Sequence, residues 1–433
     1  MTTTEPVTSA YASIRNEALM GLEREKLDPR ADFDAVQRLV ARIVDDYQSQ
    51  AHLGNAPALR DRGDMVRRVV RSITGFGALS QLLENPTVEE IFIEGPHVTF
   101  IDGSGRLQVL TTPTTADENR QAINRLLADT DRHIDTASPI VQARVLNDSA
   151  RLTAVIPPIA DHVSATIRKY TMRKETLGHL VQLGSLSPAA AGFLWAVAQT
   201  GASVLVSGQP GAGKTSLLSA VMAAAPATHC VRCIEEVREL HVPLSPHSSY
   251  YEARAPGLDG SGEVSLRTLV KAVLAMRADR IVVGEVRGAE AFELTRASNA
   301  GCGFSCTVHA NSAREALNAI VNTALMAGEN VTEPVVRKVF ANSIDFVIHL
   351  DRDPITRGRE GIRRQVLEIL AVAPSLTGDD FTTDHIFKRD VLGAPLRWTG
   401  LVPPQPTIDL IDRALSGSGH TLHSICEGQT TPL

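Results

Sequence analysis

The stretch Gly208-Gln209-Pro210-Gly211-Ala212-Gly213-Lys214-Thr215 decides the fold of this 433-residue chain. It fills the pattern G-x-x-x-x-G-K-[ST], which forms a phosphate-binding loop when a strand precedes it and a helix follows. The apolar run Val204 to Ser207 precedes it, and a helical pattern begins at Lys214. A glycine-rich turn that matches by chance is the alternative. The flanking strand and helix favour the phosphate loop.

The residue types of this loop predict how a nucleotide binds. The glycines let successive main-chain amides converge on the phosphates, and the helix N-terminus adds partial positive charge. Lys214 is expected to reach the β- and γ-phosphates, and the Thr215 hydroxyl is expected to ligate Mg²⁺. Ser216 completes the predicted binding segment. The expected ligands are therefore ATP and Mg²⁺.

The surrounding pattern is that of a parallel α/β sheet. Strands and helices alternate from Ser187 to Gly284, and most of the strands are continuous apolar runs, as expected when helices cover both faces. Three helix-period stretches occupy the first ~70 residues, and short strands with turn residues between them follow from Glu90. The predicted regions are a helical module (1–72), a smaller α+β domain (73–174), an α/β nucleotide-binding domain with a parallel-rich sheet (175–415) and a flexible tail (416–433).

Acidic residues at predicted strand ends are the candidates for hydrolysis. Glu285 follows the apolar run Ile281 to Val283 and a glycine, which makes it the best candidate to organise Mg²⁺. Glu235 and Glu236 end the neighbouring strand, and ligands of such sheets gather outside the strand C-termini. We expect Glu235 to polarise the attacking water. The alternative for each acid is a solvent-facing residue at a strand end.

His309 lies at the end of a fourth predicted strand, Cys306 to Val308, and Ser312 behind it is expected to cap the next helix. A lone histidine is often structural, and that alternative stays open. Its place at a strand end would let it sense the γ-phosphate or relay its presence to a neighbouring subunit.

Composition limits the classes of function. The chain has 43 Lys+Arg against 49 Asp+Glu, a net charge of −6, and only 4% aromatic residues, which argues against a protein that mainly coats nucleic acid. A basic face on the third helix is possible, although a solvated helix face is favoured. No apolar stretch approaches the ~20 residues that span a bilayer, and the N-terminus lacks a signal-peptide core, so we expect a cytoplasmic protein. Five cysteines fit reduced thiols, and we favour this over a zinc site.

Four ordered segments together resemble the type II/IV secretion ATPase superfamily. They are the phosphate loop, Ile234-Glu235-Glu236 with Glu239-Leu240, Gly284-Glu285-Val286-Arg287-Gly288, and Thr307-Val308-His309-Ala310-Asn311. In that superfamily these are the Walker A, Asp, Walker B and His boxes. Further segments, Glu252 to Pro256, Gly262 to Val264 and Phe76 to Leu79, resemble the CpaF/TadA branch.

The resemblance implies a RecA-like ATPase that forms a hexameric ring. It places the ring at the cytoplasmic face of the inner membrane, bound through platform proteins of a pilus or secretion system and not directly to nucleic acid. It also implies that N-terminal-domain arginines approach the phosphates, and Arg151 and Arg168 match that pattern, with surface arginines as the alternative. The two domains would hinge near Met172 to Thr176.

The chain departs from the family pattern in places, which keeps two other functions open. Gly301-Cys302 stands where Gly-His is usual, and Glu236 stands where Asp is usual. One alternative is a DNA-translocating or conjugation-related ATPase. The other is a weakly hydrolysing nucleotide-binding scaffold.

Overall fold

The protein is described by a computed structural model that covers residues 5–29, 31–54, 56–103, 105–147, 149–170, 175–243, 246–254, 256, 261–328, 332–353 and 363–432. The chain forms two compact units that divide between residues 171 and 172. Residues 172–174 of the expected hinge lie outside the described residues. None of the described helices has both the length and the apolar character needed to cross a bilayer.

The first unit begins with three helices around a small apolar core. They are α1 (Glu5–Glu25), α2 (Phe33–His52) and α3 (Arg62–Thr74). Ile14, Val40 and Val69 are fully buried between them. Arg68 of α3 donates to the Pro113 carbonyl and lies over the Tyr11 ring. Arg68 therefore has a structural role, which argues against an open basic face built around it.

An antiparallel sheet forms the rest of the first unit. Its strand order is β3-β2-β1-β6-β5-β4, and helices α4 (Ser80–Glu84) and α5 (Ala116–Leu127) accompany it. The strands are β1 (Val88–Glu94), β2 (His97–Asp102), β3 (Leu107–Val109), β4 (Ile140–Val145), β5 (Ala150–Val155) and β6 (Ser164–Lys169). Tyr11 donates a buried hydrogen bond of 2.7 Å to Glu118 on α5. The helices and the sheet domain thus belong to one unit, joined in part by a buried polar contact.

The second unit is a nine-stranded sheet covered by helices, with strand order β15-β14-β13-β12-β7-β11-β10-β8-β9. Its strands are β7 (Val204–Gly208), β8 (Val231–Glu235), β9 (Ser249–Glu252), β10 (Arg280–Val283), β11 (Gly303–Val308), β12 (Phe346–Arg352), β13 (Arg364–Thr377), β14 (Asp380–Lys388) and β15 (Arg397–Trp398). Its helices are α6 (Leu177–Gln182), α7 (Pro188–Ala198), α8 (Lys214–Ala223), α9 (Leu266–Leu274), α10 (Glu290–Asn299), α11 (Ala313–Leu325), α12 (Glu333–Ala341), α13 (Gln405–Leu415) and α14 (Leu422–Cys426). The strands from β12 to β9 are parallel, and β13 to β15 extend the sheet antiparallel.

Both faces of this sheet are buried. Val204 and Val206 belong to the apolar core on one face, and Leu205 belongs to the core on the other. Successive strand residues point to opposite faces, so an apolar run of this kind needs helices on both sides. The predicted α/β class with a parallel-rich sheet and a preceding α+β part is confirmed.

The C-terminal segment differs from the predicted flexible tail (416–433). It contains α14, which Thr421 caps by accepting from the Ser424 amide. Leu422, Ile425 and Cys426 are buried in the core of the second unit. Their spacing puts three apolar side chains on one face of a single helical turn, and that burial orders a segment whose composition is otherwise typical of a loop.

Candidate functional site: a phosphate loop at the edge of a parallel sheet

The parallel strands bring the predicted site segments to one edge of the sheet. Ser207 pairs in register with Val308 of β11, and Val283 of β10 pairs with Cys306 of β11 and Ile234 of β8. The residues that follow each strand therefore emerge side by side. This is the edge at which parallel α/β sheets bind ligands.

The phosphate loop joins β7 to α8 with a backbone that requires glycine. Gly208 has φ +155°, and a Cβ at this position would collide with the Leu350 carbonyl oxygen of β12. Gly211 and Gly213 have φ +74° and +96°, which is the left-handed region that favours glycine. The loop thus has the main-chain form that directs amides toward a bound anion.

Lys214 lies inside this loop. Lys214 is only 8% exposed. Its Nζ donates to the carbonyl oxygens of Gly208 at 3.0 Å and Gln209 at 3.3 Å. Nζ is also 3.2 Å from Nδ1 of His309. Thr215 is half-buried and Ser216 is exposed in the first turn of α8. The ammonium is therefore held at the loop, next to the end of β11.

Glu285 and His309 meet beside Lys214. Nε2 of His309 contacts Oε1 of Glu285, and Arg287 donates to Oε2 of Glu285 at 2.6 Å. Burial and the Lys214 charge lower the pKa of His309. A neutral imidazole suits this place, because its Nδ1 can then accept from the Lys214 ammonium. Lys214, His309 and Glu285 are thus brought together.

Glu235 and Glu236 separate at the end of β8. Glu236 is exposed, with a carboxylate oxygen 3.8 Å from Arg287. Glu235 is 4% exposed and accepts from the main-chain amides of Glu239 at 3.1 Å and Leu240 at 3.0 Å. Burial raises the pKa of Glu235 to about 7, although those amide bonds oppose the rise. Of the two glutamates, Glu235 is the one with the properties of a proton acceptor at neutral pH.

Arg151 and Arg168 lie in the first unit, paired in register on β5 and β6. Arg151 donates to Gln142 at 2.7 Å, and Nε of Arg168 is 3.7 Å from a Glu90 oxygen. They thus stand next to each other on adjacent strands.

Sequence reasoning missed two polar side chains near the loop. The sequence assigned no role to Arg287, although its side chain contacts Glu285. His349 lies buried in β12, 3.0 Å from Ser207. The available signal was a histidine inside the apolar run Phe346 to Leu350.

The residues present fit a magnesium nucleotide. The loop supplies amides and an ammonium for the phosphates, and the Thr215 hydroxyl and Glu285 carboxylate supply hard oxygen ligands. Within the described ranges no group of three His, Cys, Asp or Glu side chains is arranged to hold a metal ion. Fold and site together define a P-loop ATPase.

Comparison with known proteins identifies the family. The model of the type II/IV secretion system protein family matches residues 73–369. A protein of Mycobacterium tuberculosis (strain ATCC 25618 / H37Rv) whose name refers to conjugal transfer is 32% identical over 303 residues, covering 68% of this chain and 85% of that protein. The type IV secretion system protein VirB11 of Brucella suis biovar 1 is 26% identical over 298 residues, covering 62% and 82%. The chain belongs to the type II/IV secretion system protein family and is a secretion-family ATPase.

A solved structure supports the fold. The pilus retraction motor PilT with bound ADP matches with a TM-score of 0.50 and 17% sequence identity, covering 82% of this chain and 90% of that chain. At this identity the likeness concerns the fold alone.

Proposed function

We propose that this protein binds ATP with Mg²⁺ at Gly208 to Ser216 and hydrolyses it to power pilus assembly or protein secretion. The observation that carries the proposal is the position of Lys214. Its ammonium is held inside a glycine-built loop, next to a histidine that contacts the Glu285 carboxylate. This combination supports the proposal, because it would give positive charge for the phosphates next to an acid for the metal.

Each residue has a proposed part in the reaction. Thr215 and Glu285 would hold Mg²⁺, which when bound neutralises charge on the phosphate oxygens. Glu235 polarises the attacking water and accepts its proton, in keeping with its raised pKa. His309 connects Lys214 to Glu285. Arg151 and Arg168 supply guanidinium groups for the charge of the transition state.

The assembly in which the protein works is also a proposal. A CpaF/TadA-type role implies a hexamer at the cytoplasmic face of the inner membrane, held there by platform proteins. Movement of the two units about residues near 172–176 would transmit the work of hydrolysis. A role in conjugation is the second candidate, because the matching protein of M. tuberculosis carries the name of a conjugal transfer protein.

The decisive experiment replaces the loop lysine. Lys214→Ala should abolish ATP hydrolysis, because it removes the one ammonium held inside the loop. Lys338→Ala, on the exposed face of α12, is the matched control and should keep wild-type turnover. Wild-type turnover in Lys214→Ala would contradict the site. Turnover measured with and without added DNA tests the second candidate in its DNA-translocating form, because an ATPase that translocates DNA should be stimulated by it.

A further inference from the structure

Two polar side chains lie buried side by side just before the phosphate loop. His349 of β12 is 3% exposed, and its Nδ1 is 3.0 Å from Oγ of Ser207, the fully buried residue before Gly208. Strand register pairs His349 with Ser207 on one side and with Glu368 of β13 on the other. Laterally paired residues point to the same face of a sheet, so the three polar side chains form a row.

Glu368 connects this row to the segment that carries His309. One of its carboxylate oxygens accepts from the Ala313 amide at 2.8 Å, and the other is 2.9 Å from Nε2 of His385. Ala313 is the first residue of α11, which begins four residues after His309. A carboxylate at a helix N-terminus is favoured by the helix dipole. Glu368 therefore connects the N-terminus of α11 to β13.

Side-chain contacts, chain connections and strand pairing together form a ring of residues beside the loop. From Gly208 it runs through the Lys214 contacts to His309, along the chain to Ala313, and across the Ala313–Glu368 hydrogen bond to β13. It returns through the paired positions Glu368 and His349 and the contact of His349 with Ser207. Burial, helped by the positive charge of Lys214, lowers the pKa of His349. The negative charges of Glu368, Asp351 and Glu315 oppose this shift but do not cancel it. The imidazole is thus neutral at physiological pH, and its contact with Ser207 is an ordinary hydrogen bond between uncharged groups.

We propose that His349 and Glu368 are positioning residues that hold the His309 segment and the phosphate loop in the geometry needed for hydrolysis. The inference rests on the proposed function of that loop. Neither residue is among those predicted to contact the nucleotide. His349 acts through Ser207, and Glu368 acts through the Ala313 amide. Small displacements of reacting groups cost rate more than they cost binding.

The test compares substitutions that keep or remove the contact with Ser207. His349→Leu removes it, whereas His349→Asn keeps an amide group near the place of Nδ1. Ser207→Ala removes the partner and is the smaller change. The control is Glu427→Gln in the exposed His423–Glu427 pair, whose atoms are 3.1 Å apart. For each variant, kcat, KM and the Kd of a fluorescent ATP analogue are measured.

We expect His349→Leu and Ser207→Ala to lower kcat about tenfold while the nucleotide Kd changes less than about twofold. His349→Asn should recover most of the loss, and the double variant Ser207→Ala/His349→Leu should be no worse than either single variant. Wild-type kcat in His349→Leu, equal losses in the Asn and Leu variants, or additive losses in the double variant would each overturn the proposal. If His349→Leu fails to fold, Ser207→Ala and His349→Asn carry the test.

A second readout needs no nucleotide. The imidazole ¹⁵N resonances of His309 should shift in Ser207→Ala and stay unchanged in Glu427→Gln, because the proposed ring joins residue 207 to His309. An unchanged His309 signal in Ser207→Ala would overturn the ring. Failure of the ATPase itself has a different signature, since it removes turnover from the wild type and leaves this signal intact.

Discussion

Glu285 has two basic neighbours, and its proposed task is to organise Mg²⁺. Glu285→Gln removes the charge and preserves the size of the side chain. We expect kcat to fall by about a hundredfold or more, because a lost electrostatic contact in phosphoryl transfer has a cost of that order. ATP affinity should change little, since the loop amides and Lys214 remain. Turnover and nucleotide affinity, measured on the same preparation, test both parts.

Glu236→Gln is the matched control for Glu285→Gln. Glu236 is an exposed carboxylate that also faces Arg287, at 3.8 Å. Its loss should leave kcat within about twofold of wild type, as expected for a solvent-exposed pair. A Glu285→Gln variant that behaves like this control would remove Glu285 from the metal site.

Glu235 predicts a pH dependence of stability. Its pKa is about 7 in the folded protein against 4.5 ordinarily, so between those values the folded state binds a proton that the unfolded state releases. Stability from this group is therefore present below about pH 4.5 and declines as pH rises through about 7, by about 3 kcal/mol. Glu235→Gln cannot ionise and should escape this decline.

The measurement is urea unfolding of wild type and Glu235→Gln at about pH 5 and about pH 8. The free energy of unfolding of the variant relative to wild type should be higher at the higher pH. Other titrating groups cancel in this difference because both proteins contain them. A difference that is independent of pH would mean that Glu235 ionises normally. As a proton acceptor, Glu235 should also make wild-type turnover rise with pH through about 7.

At the residue scale the sequence predicted the loop and the strand-end acids because their geometry is local. A parallel sheet places Glu285, His309 and the loop at one edge whatever the remaining strands do. The Ser207–His349 contact could not be predicted in this way. It joins residues 142 positions apart and depends on the register between β7 and β12. The sequence likewise could not show which of Glu235 and Glu236 is buried, because that depends on the direction in which the last residue of β8 points.

At the scale of elements, α14 gives the clearest prediction. Ile425 is fully buried, and its Cγ2 lies 3.0 Å from the position that a Cβ on Gly192 of α7 would take. Ile425→Ala should lower the free energy of unfolding by about 2–4 kcal/mol, through lost burial and the cavity left behind. The measurement is the chemical denaturation midpoint.

Val391→Ala provides the comparison for this element. Val391 is in the same unit and is 66% exposed, so its truncation should change stability by less than about 0.5 kcal/mol. Equal stability of the two variants would show that α14 does not contribute to the core.

The elements predicted from the sequence have clear patterns of apolar residues or helix caps, whereas the missed helix α14 is too short to show a clear apolar pattern. The strands β7, β8, β10 and β11 are short apolar runs between helices, and the N-cap Ser312 predicted before α11 accepts from the Glu315 amide as expected. α14 was missed because Gly, Ser and Thr dominate its surroundings, which is typical of a loop. The spacing of Leu422, Ile425 and Cys426 was the signal, and one turn is too short for periodicity to decide.

At the scale of the whole molecule, the proposal depends on two arginines of the first unit acting on a nucleotide bound by the second. Arg151 and Arg168 are paired in register on adjacent strands, so their side chains leave the same face of the sheet. Arg168→Ala and Arg151→Ala should each lower kcat by about a hundredfold or more, while ATP still binds to the loop. Arg106→Ala, an exposed arginine of the same unit, is the control and should keep its activity.

Mixing variants tests whether these arginines work within a ring. A Lys214→Ala subunit still has its arginines, and an Arg168→Ala subunit still has its loop. If the arginines reach a nucleotide on a neighbouring subunit, these two subunits side by side complete one site. Mixed assemblies should then recover turnover that neither variant shows alone, and turnover per chain should fall on dilution as the ring dissociates. Sedimentation of the same samples gives the oligomeric state. A purely monomeric protein whose turnover per chain is constant on dilution would contradict the hexamer, and wild-type turnover in both arginine variants would remove the first unit from the chemistry.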